Sequence, residues 1–379
     1  MRVVMLGQYP LDEQHILGGV EAVMVPLVGA LASFEDLDLH IVTCQPRQEE
    51  RTVTTAASLP LHILDRKRLG RLTSHRRDIQ NIGRAIRQLG PDVVHAQGMG
   101  IYAAAAAAAP YPHVATAHGI FFREAEFAAG LAARLRRWMD SSFERYCIAR
   151  VQNLIAISPY VEQELVQNCG FQGHVYDIEN PVHDAFFSVS GVGDDATVLY
   201  AGRVIPRKGL LQLLAALARV REHIPAVQLR IAGETESAPH YVAACRELIA
   251  QEHLESAITF LGSLNMEAMV AEHARCSLLA LPSKQETAPV VVAEAMAAGR
   301  AVVATRICGV PYMVEDGVSG LLVEDGDTVG LADALVRLLR DPVLRSQMGQ
   351  RGRQIAQARF SAHIVASQTR RVYLNLASA

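Results

Sequence analysis

Short apolar runs alternate along the chain with longer stretches in which apolar residues recur every three or four positions. RVVMLG (2–7), LHIVTC (39–44), DVVHA (92–96), HVATA (113–117) and NLIAI (153–157) read as strands, each followed by a helical pattern. In HRRDIQNIGRAIRQLG, Ile79, Ile82, Ile86 and Leu89 share one helical face and Gly90-Pro91 is the stop signal, so this segment reads as a packing helix. The alanine run from Ala103 to Ala109, ended by Pro110, reads as a buried helix. Strands alternating with helices imply βα units and a parallel sheet.

After Phe187 the periodicity stops in SVSGVGDDA (188–196), a small, polar, Gly-rich stretch that reads as a linker. The rhythm then repeats: TVLYAG (197–202), VQLRIAG (227–233), AITFLG (257–262), SLLALP (277–282), AVVAT (301–305) and GLLV (320–323), with helices between. The fold class predicted is α/β, with two Rossmann-like doubly wound domains over 1–187 and 197–360. A last helix in 361–379, with Ile364, Tyr373 and Leu376 in helical spacing, could cap either domain, packing back on the N-terminal one included. Two such domains facing each other would form a cleft at the carboxyl ends of their strands, where ligands of open α/β sheets bind.

Composition narrows the class. The chain has 379 residues, half of them apolar and 20% charged, which rules out disorder and fibrous repeats. That length exceeds the roughly 250–300 residues one core fills, in keeping with two domains. The 36 basic and 39 acidic side chains nearly cancel, so no general field recruits nucleic acid and an anionic ligand needs a local site. Cys44, Cys147, Cys169, Cys245, Cys276 and Cys308 show no CxxC or Cys/His cluster and are expected to be buried thiols of a cytoplasmic protein. The first residues, MRVVMLGQYP, do not read as a signal peptide, and no run approaches the roughly 20 apolar residues of a membrane span.

Several common chemistries lack their motif. RVVMLG runs into QYPLDEQHILGGVE without GxGxxG, and there is no GxxxxGK[ST] or GxSxG. DLD at 36–38 and DGD at 325–327 sit in turn-like contexts, so no metal site is proposed. Gly18-Gly19-Val20-Glu21 opens the first helix and would let a ligand approach the backbone, or is simply a tight turn. In the second half, Arg203 follows the strand TVLYAG, and Pro206-Arg207-Lys208-Gly209 leads into a helix. Cations there meet a helix N-terminus at the carboxyl end of a strand, an arrangement suited to a diphosphate. Both cations are expected to be exposed, contributing little to folding. Further on, SLLALP leads into SKQETAPVVVAEAMAAG. Eight helical steps of about 100° would put Glu286 and Glu294 on different faces, so Glu286 belongs in the loop and Glu294 on a helix starting near Val290. Both can accept hydrogen bonds from vicinal hydroxyls, or be solvated glutamates.

AGRVIPRKG, IAGE, FLG, the Glu286-to-Glu294 spacing with AMAAGRAVVATRICGVPYMVEDGVSGLLVEDGD after it, the early GGVE and TAHG together resemble the retaining glycosyltransferases of family 4. The resemblance runs in order through essentially the whole chain. It implies the GT-B architecture, with a nucleotide sugar in the cleft, the donor on the C-terminal domain and the acceptor on the N-terminal one. By the same resemblance Arg203 and Lys208 hold the donor diphosphate, Glu294 the ribose hydroxyls and Glu286 the transferred sugar. Gly18 and Gly19 line the cleft opposite the phosphates. His118, in TAHG, hydrogen-bonds the donor sugar, and Ser158 and Asn180 border the cleft. The catalytic set so implied is His118, Arg203, Lys208 and Glu286.

One position departs from the family pattern: Pro289 stands where many members have a glycine three residues after the first glutamate. Proline has no N–H to offer a sugar, so the amides of Ala288 or Val290 are the donor-site candidates in its place. The implied activity is retaining transfer of a hexosyl or related group to a hydroxyl of a glycan, lipid-linked or small-molecule acceptor, in cell-envelope polysaccharide, lipopolysaccharide or glycolipid synthesis. No cofactor is implied beyond the donor, a UDP- or GDP-sugar in preference to an ADP-sugar. A GT-B nucleotide-sugar epimerase would share the fold but should supply acid/base carboxylates, and no matching set is found. A catalytically silent nucleotide-sugar-binding partner is the other alternative. The basic run Arg66, Lys67, Arg68, Arg71, Arg76 and Arg77 is either a solvated segment or a contact with an anionic acceptor or the inner face of a membrane.

Overall fold

The computed structural model describes residues 1–16, 18–46, 48–66, 75–127, 130–191 and 193–378. The chain divides into two units, the first Met1–Glu13, Gly18–Pro181 and Ala362–Ala379, the second Gln14–Leu17 and Val182–Ser361. The crossings out and back lie side by side, Val182 N donating to Phe360 O at 2.8 Å. The polar stretch 188–196 belongs to the second unit, where Asp194 N donates to Arg275 O at 2.7 Å.

The first unit is an eight-stranded sheet of β1 (Arg2–Leu6), β2 (Asp38–Pro46), β3 (Arg51–Thr54), β4 (Pro60–Arg66), β5 (Val93–Gln97), β6 (His113–Ala117), β7 (Asn153–Ala156) and β8 (His174–Asp177). The strand order is β3-β4-β2-β1-β5-β6-β7-β8, parallel except for the antiparallel β3 at one edge. Parallel neighbours need crossovers, supplied here by α1 (Gly19–Leu31), α2 (Arg76–Leu89), α3 (Ile101–Ala108), α4 (Phe121–Glu124), α5 (Leu131–Ile148) and α6 (Pro159–Gln163). Central β1 is buried on both faces, as its unbroken apolar run requires, with Val3, Val4, Met5 and Leu6 all inaccessible. The alanine-rich α3 is buried too, its small side chains letting it lie close to the sheet.

The second unit has six strands, all parallel: β9 (Thr197–Ala201), β10 (Gln228–Ala232), β11 (Ile258–Gly262), β12 (Leu278–Leu281), β13 (Ala301–Thr305) and β14 (Gly320–Val323). Their order, β11-β10-β9-β12-β13-β14, is the doubly wound one that reverses direction between β9 and β12. Its helices are α7 (Asp184–Phe187), α8 (Leu210–His223), α9 (Pro239–Gln251), α10 (Met266–Arg275), α11 (Val290–Ala297), α12 (Thr328–Arg340) and α13 (Pro342–Arg359). Leu213 and Leu217 of α8 and Leu335 and Leu338 of α12 join Tyr200, Leu229 and Leu278 of the sheet in one apolar cluster. The last helix, α14 (Ala362–Ala377), belongs to the first unit and packs on α1.

Some local expectations are revised. Cys44, Cys147, Cys245 and Cys276 are buried, but Cys169 and Cys308 are only partly so. The two acidic triplets are structural. Asp36 pairs with Arg370 and Asp38 with Arg2, while Asp327 caps α12 by accepting from Gly330 N at 2.8 Å.

Candidate active site

In the second unit the loops that leave β9 and β12 emerge on either side of the topological switch point, where an open α/β sheet leaves a crevice. Residues 206–208 make a single turn, and Gly209 then enters α8 with φ +70°. Only glycine fits there, because that backbone conformation is left-handed and a Cβ would overlap the carbonyl of Pro282 at the end of β12. The two loops are also tied by Lys284 N donating to Arg207 O at 2.8 Å, and by Arg207 Nη1 donating to Gln285 O at 2.7 Å.

This latch sets the charges. Lys208 Nζ donates to Glu286 Oε1, and Glu286 Oε2 lies 3.8 Å from Arg207 Nη1. Both partners are largely buried, side-chain exposure being 14% for Lys208 and 8% for Glu286. Burial pushes the Glu286 carboxyl up, but Lys208 and Arg207 outweigh it and hold the group below the usual carboxylate range. Burial likewise lowers the Lys208 ammonium, against the pull of Glu286. The expectation that both motif cations are exposed is therefore corrected: Arg203 is exposed, but the Lys208 side chain is largely withdrawn from solvent, its ammonium paired with Glu286. An ammonium has three N–H donors, so Lys208 can keep Glu286 and still reach a phosphate oxygen.

Glu286 lies in the loop and Glu294 on α11, which begins at Val290 behind the Pro289 cap. The loop carrying Glu286 rests on Gly309, whose N–H donates to Glu286 O at 2.9 Å and where a Cβ would overlap Thr287 O. Behind Glu294 stands His273 of α10, fully buried, with Nε2 3.8 Å from Glu294 Oε2 and its ring edge-on to Phe186 at 5.4 Å. Nothing in the chain's motifs singles out His273; only burial of a polar ring beside Glu294 reveals it.

In the first unit the corresponding switch point lies between β1 and β5. Gln97 ends β5 and His118 follows β6, with His118 Nε2 donating to Gln97 Oε1 at 2.6 Å. Gln97 Nε2 lies 3.2 Å from His95 Nε2, and His95 Nδ1 lies 2.6 Å from the Tyr373 hydroxyl of α14. Read in order, Gln97 accepts from His118 and donates to His95, whose Nδ1–H then faces Tyr373. Burial lowers His118 to about 4, partly offset by a hydrogen bond with Asn180, and lowers His95 to about 3. Both imidazoles are neutral near pH 7. Sequence reasoning reached His118 and Asn180 but missed Gln97, His95 and Tyr373, since the pairing of β5 with β6 and the return of α14 are not visible in any motif.

The remaining candidates divide. Gly18 caps α1 and Gly19 starts it, and a Cβ on either would meet nothing within 4 Å, so the space before them is open. Ser158 is an N-cap, accepting from Val161 N at 3.4 Å. Of the basic run, 67–74 lies outside the described residues, while Arg66 ends β4 and exposed Arg76 and Arg77 begin α2. Among the described residues, no group of three or more His, Cys, Asp or Glu side chains could hold a metal ion.

Two family models match in tandem: residues 17–186 match Glycosyltransferase Family 4 and residues 183–355 match Glycosyl transferases group 1. Alpha-D-kanosaminyltransferase of Streptomyces kanamyceticus is 31% identical over 183 residues, which are 48% of this chain and 46% of that protein. The matched segment thus spans about half the length of that relative. Among solved structures, sucrose-phosphate synthase from Thermosynechococcus elongatus is 22% identical with a TM-score of 0.81, covering 99% of this chain and 98% of its own. Anabaena HepE in complex with UDP-glucose is 21% identical with a TM-score of 0.77, covering 99% and 100%. Those two likenesses concern the fold.

Proposed function

The chain belongs to the family-4-like glycosyltransferases, whose two modules it carries in order, and on that premise we propose that it transfers a sugar with retention from a nucleoside-diphosphate sugar to an acceptor hydroxyl. The observation that carries the reading is the Arg207–Lys208–Glu286 cluster at the second unit's switch point, beside exposed Arg203 and the start of α8. In this reading residues 197–360 take the donor and 1–187 the acceptor. Arg203, Lys208 and the amides opening α8 face the diphosphate, Glu294 takes the ribose hydroxyls, and Glu286, Ala288 and Val290 take the sugar. Gly18 and Gly19 leave room for the phosphates, and His118 serves the transferred sugar.

The glycosidic bond to the leaving phosphate oxygen breaks through an oxocarbenium-like state. The acceptor oxygen bonds the anomeric carbon on the same face, and its proton passes to the departing diphosphate. No protein base is needed, which suits His118 as a neutral hydrogen-bonding group held by Gln97. Cations aimed at the diphosphate stabilise the charge that develops there.

A UDP-sugar is the first donor to test, because a similar fold was solved with UDP-glucose, with a GDP-sugar next. The acceptor is a glycan, a lipid-linked sugar or a small molecule. Peripheral contact with the inner face of an anionic membrane through the basic run belongs to the same reading, and no described helix is long and apolar enough to cross one. The deciding experiment is a thermal-shift panel of UDP-, GDP- and ADP-sugars, in which a ligand at 100 times its Kd stabilises by about 2.7 kcal/mol. A clear shift with one base and none with the others supports the reading; no shift with any refutes it.

A further inference from the structure

We propose that the outward face of α5 in the first unit docks on an anionic lipid bilayer. Leu131, Leu135 and Trp138 enter the interface, while Arg134 and Arg136 meet the headgroup phosphates. The proposal rests on the membrane clause of the functional reading and is independent of the transfer chemistry.

Helical spacing puts Leu131, Leu135, Trp138 and Tyr146 on one stripe of α5. The stripe is solvent-exposed, the four being 86%, 61%, 66% and 45% exposed. Lone exposed leucines are ordinary, but a row of large apolar side chains that includes the chain's single tryptophan marks a binding surface. The opposite face fastens the helix: Glu144, Cys147 and Ile148 are buried, and Glu144 accepts from the backbone N–H groups of Phe121 and Phe122 at 2.9 and 3.1 Å.

Arg134 and Arg136 are exposed on the two flanks of the stripe, while of the two acids of α5 Glu144 is buried and Asp140 is half-buried, lining the cavity beside Trp138. A cavity of about 600 Å³ next to Trp138 is lined by Met139, Asp140 and Phe143 of α5 and by His75, Arg76 and Ile79. The apolar stripe therefore continues into the end of the basic run, two features more than fifty residues apart in sequence. Leucine and tryptophan on one side with arginine beside them is the pattern of a helix lying in the plane of a membrane interface. A second copy is disfavoured as the occupant, because a two-fold contact would bring together two faces that each carry exposed Arg134 and Arg136.

The test uses the full chain with phosphatidylcholine vesicles containing either no phosphatidylglycerol or about 30% of it, at low and high salt. The expected result is sedimentation with the anionic vesicles, at least about tenfold weaker with neutral ones, and weakened by salt. Because Trp138 is the sole tryptophan, its emission should shift to the blue on binding and be quenched by bromine on the acyl chains. Leu131→Ser with Leu135→Ser should weaken binding about tenfold or more. Arg134→Ser with Arg136→Ser should remove the preference for anionic lipid. All four positions are solvent-facing, and circular dichroism checks that each variant folds. Absence of vesicle binding, binding that leaves the tryptophan emission unchanged, or a lipid-free dimer that shields Trp138 in sedimentation velocity would each overturn the proposal. Donor-induced thermal shifts on the same samples report on the transferase reading separately, so the two can fail independently.

Discussion

The two units repeat one plan, a parallel sheet whose order reverses at the centre, yet fill that point with opposite chemistry. The second unit sets Arg207 and Lys208 against Glu286, all three largely buried. The first unit sets Gln97 between two histidines that burial keeps neutral. A switch point is thus only a place where backbone ends converge; what it can bind depends on the side chains that the loops after its strands supply. A charged cluster suits a ligand carrying diphosphate charge, and a neutral hydrogen-bonded chain suits hydroxyls, whose recognition depends on direction more than on field.

The largest test of that contrast is Lys208→Met. It should lower turnover by about 100- to 1,000-fold, the scale of losing one group that stabilises transition-state charge. It should also destabilise the fold, by up to roughly 3–5 kcal/mol, by removing the nearer of the two cations that offset buried Glu286. Adding Glu286→Gln should restore much of the stability and none of the activity, as read by denaturant melts beside steady-state assays. Arg203→Ala, at an exposed position, should cost turnover with little effect on stability.

Next in size is a separation of losses. Glu294→Ala should weaken binding of free nucleoside diphosphate by about tenfold or more, a hydrogen bond to a charged acceptor being worth roughly 1.5–3 kcal/mol. His118→Ala should leave that affinity nearly intact and lower turnover. Calorimetry beside turnover assays measures both, and equal affinity losses in the two variants would erase the assigned difference between units.

A smaller effect concerns pH. His118 folded titrates at about 4 and His95 at about 3, both below the ordinary value of 6.5. Between those values the unfolded chain binds more protons than the folded one. These two histidines therefore contribute stability that is fully present above about pH 6.5 and is lost as pH falls towards the folded values. Urea melts at pH 5 and 7 should show this slope, and His118→Asn should make it shallower. Gln97→Leu should reduce turnover several-fold by freeing the His118 ring, with Km for the donor little changed.

The smallest expected effect is none: excess chelator should leave the rate unchanged, because Arg203, Lys208 and the start of α8 already supply positive charge at the diphosphate. Proton NMR of the product formed under those conditions checks both points, since an inverted anomer or rescue by magnesium would contradict the mechanism.

Legibility differed between the units in a physically consistent way. Strands buried on both faces, such as AVVAT and GLLV of the second unit and HVATA of the first, show as unbroken apolar runs and coincide with the observed strands. The elements that escaped lie towards the edges of the first sheet. In β3, RTVT is exposed along its length, and in β8, HVYD is polar at both ends, so neither carries the signal of a core strand. The helix at Val290 was legible because Pro289 marks its start, as was the capping glycine at 90.

The chain's own pattern therefore determined two α/β units, the cations before α8, and the assignment of Glu286 to a loop and Glu294 to a helix. These are local matters, fixed by periodicity, by proline and glycine, and by which residues flank a strand. Tertiary structure decided that Lys208 pairs with Glu286, that His273 stands behind Glu294, and that α14 brings Tyr373 to His95 from 278 residues away. It also decided that the face of α5 carrying Trp138 is exposed. Burial and hydrogen-bond partnership depend on which segments pack together, and residues far apart in sequence leave no mark of that meeting in the local pattern of either.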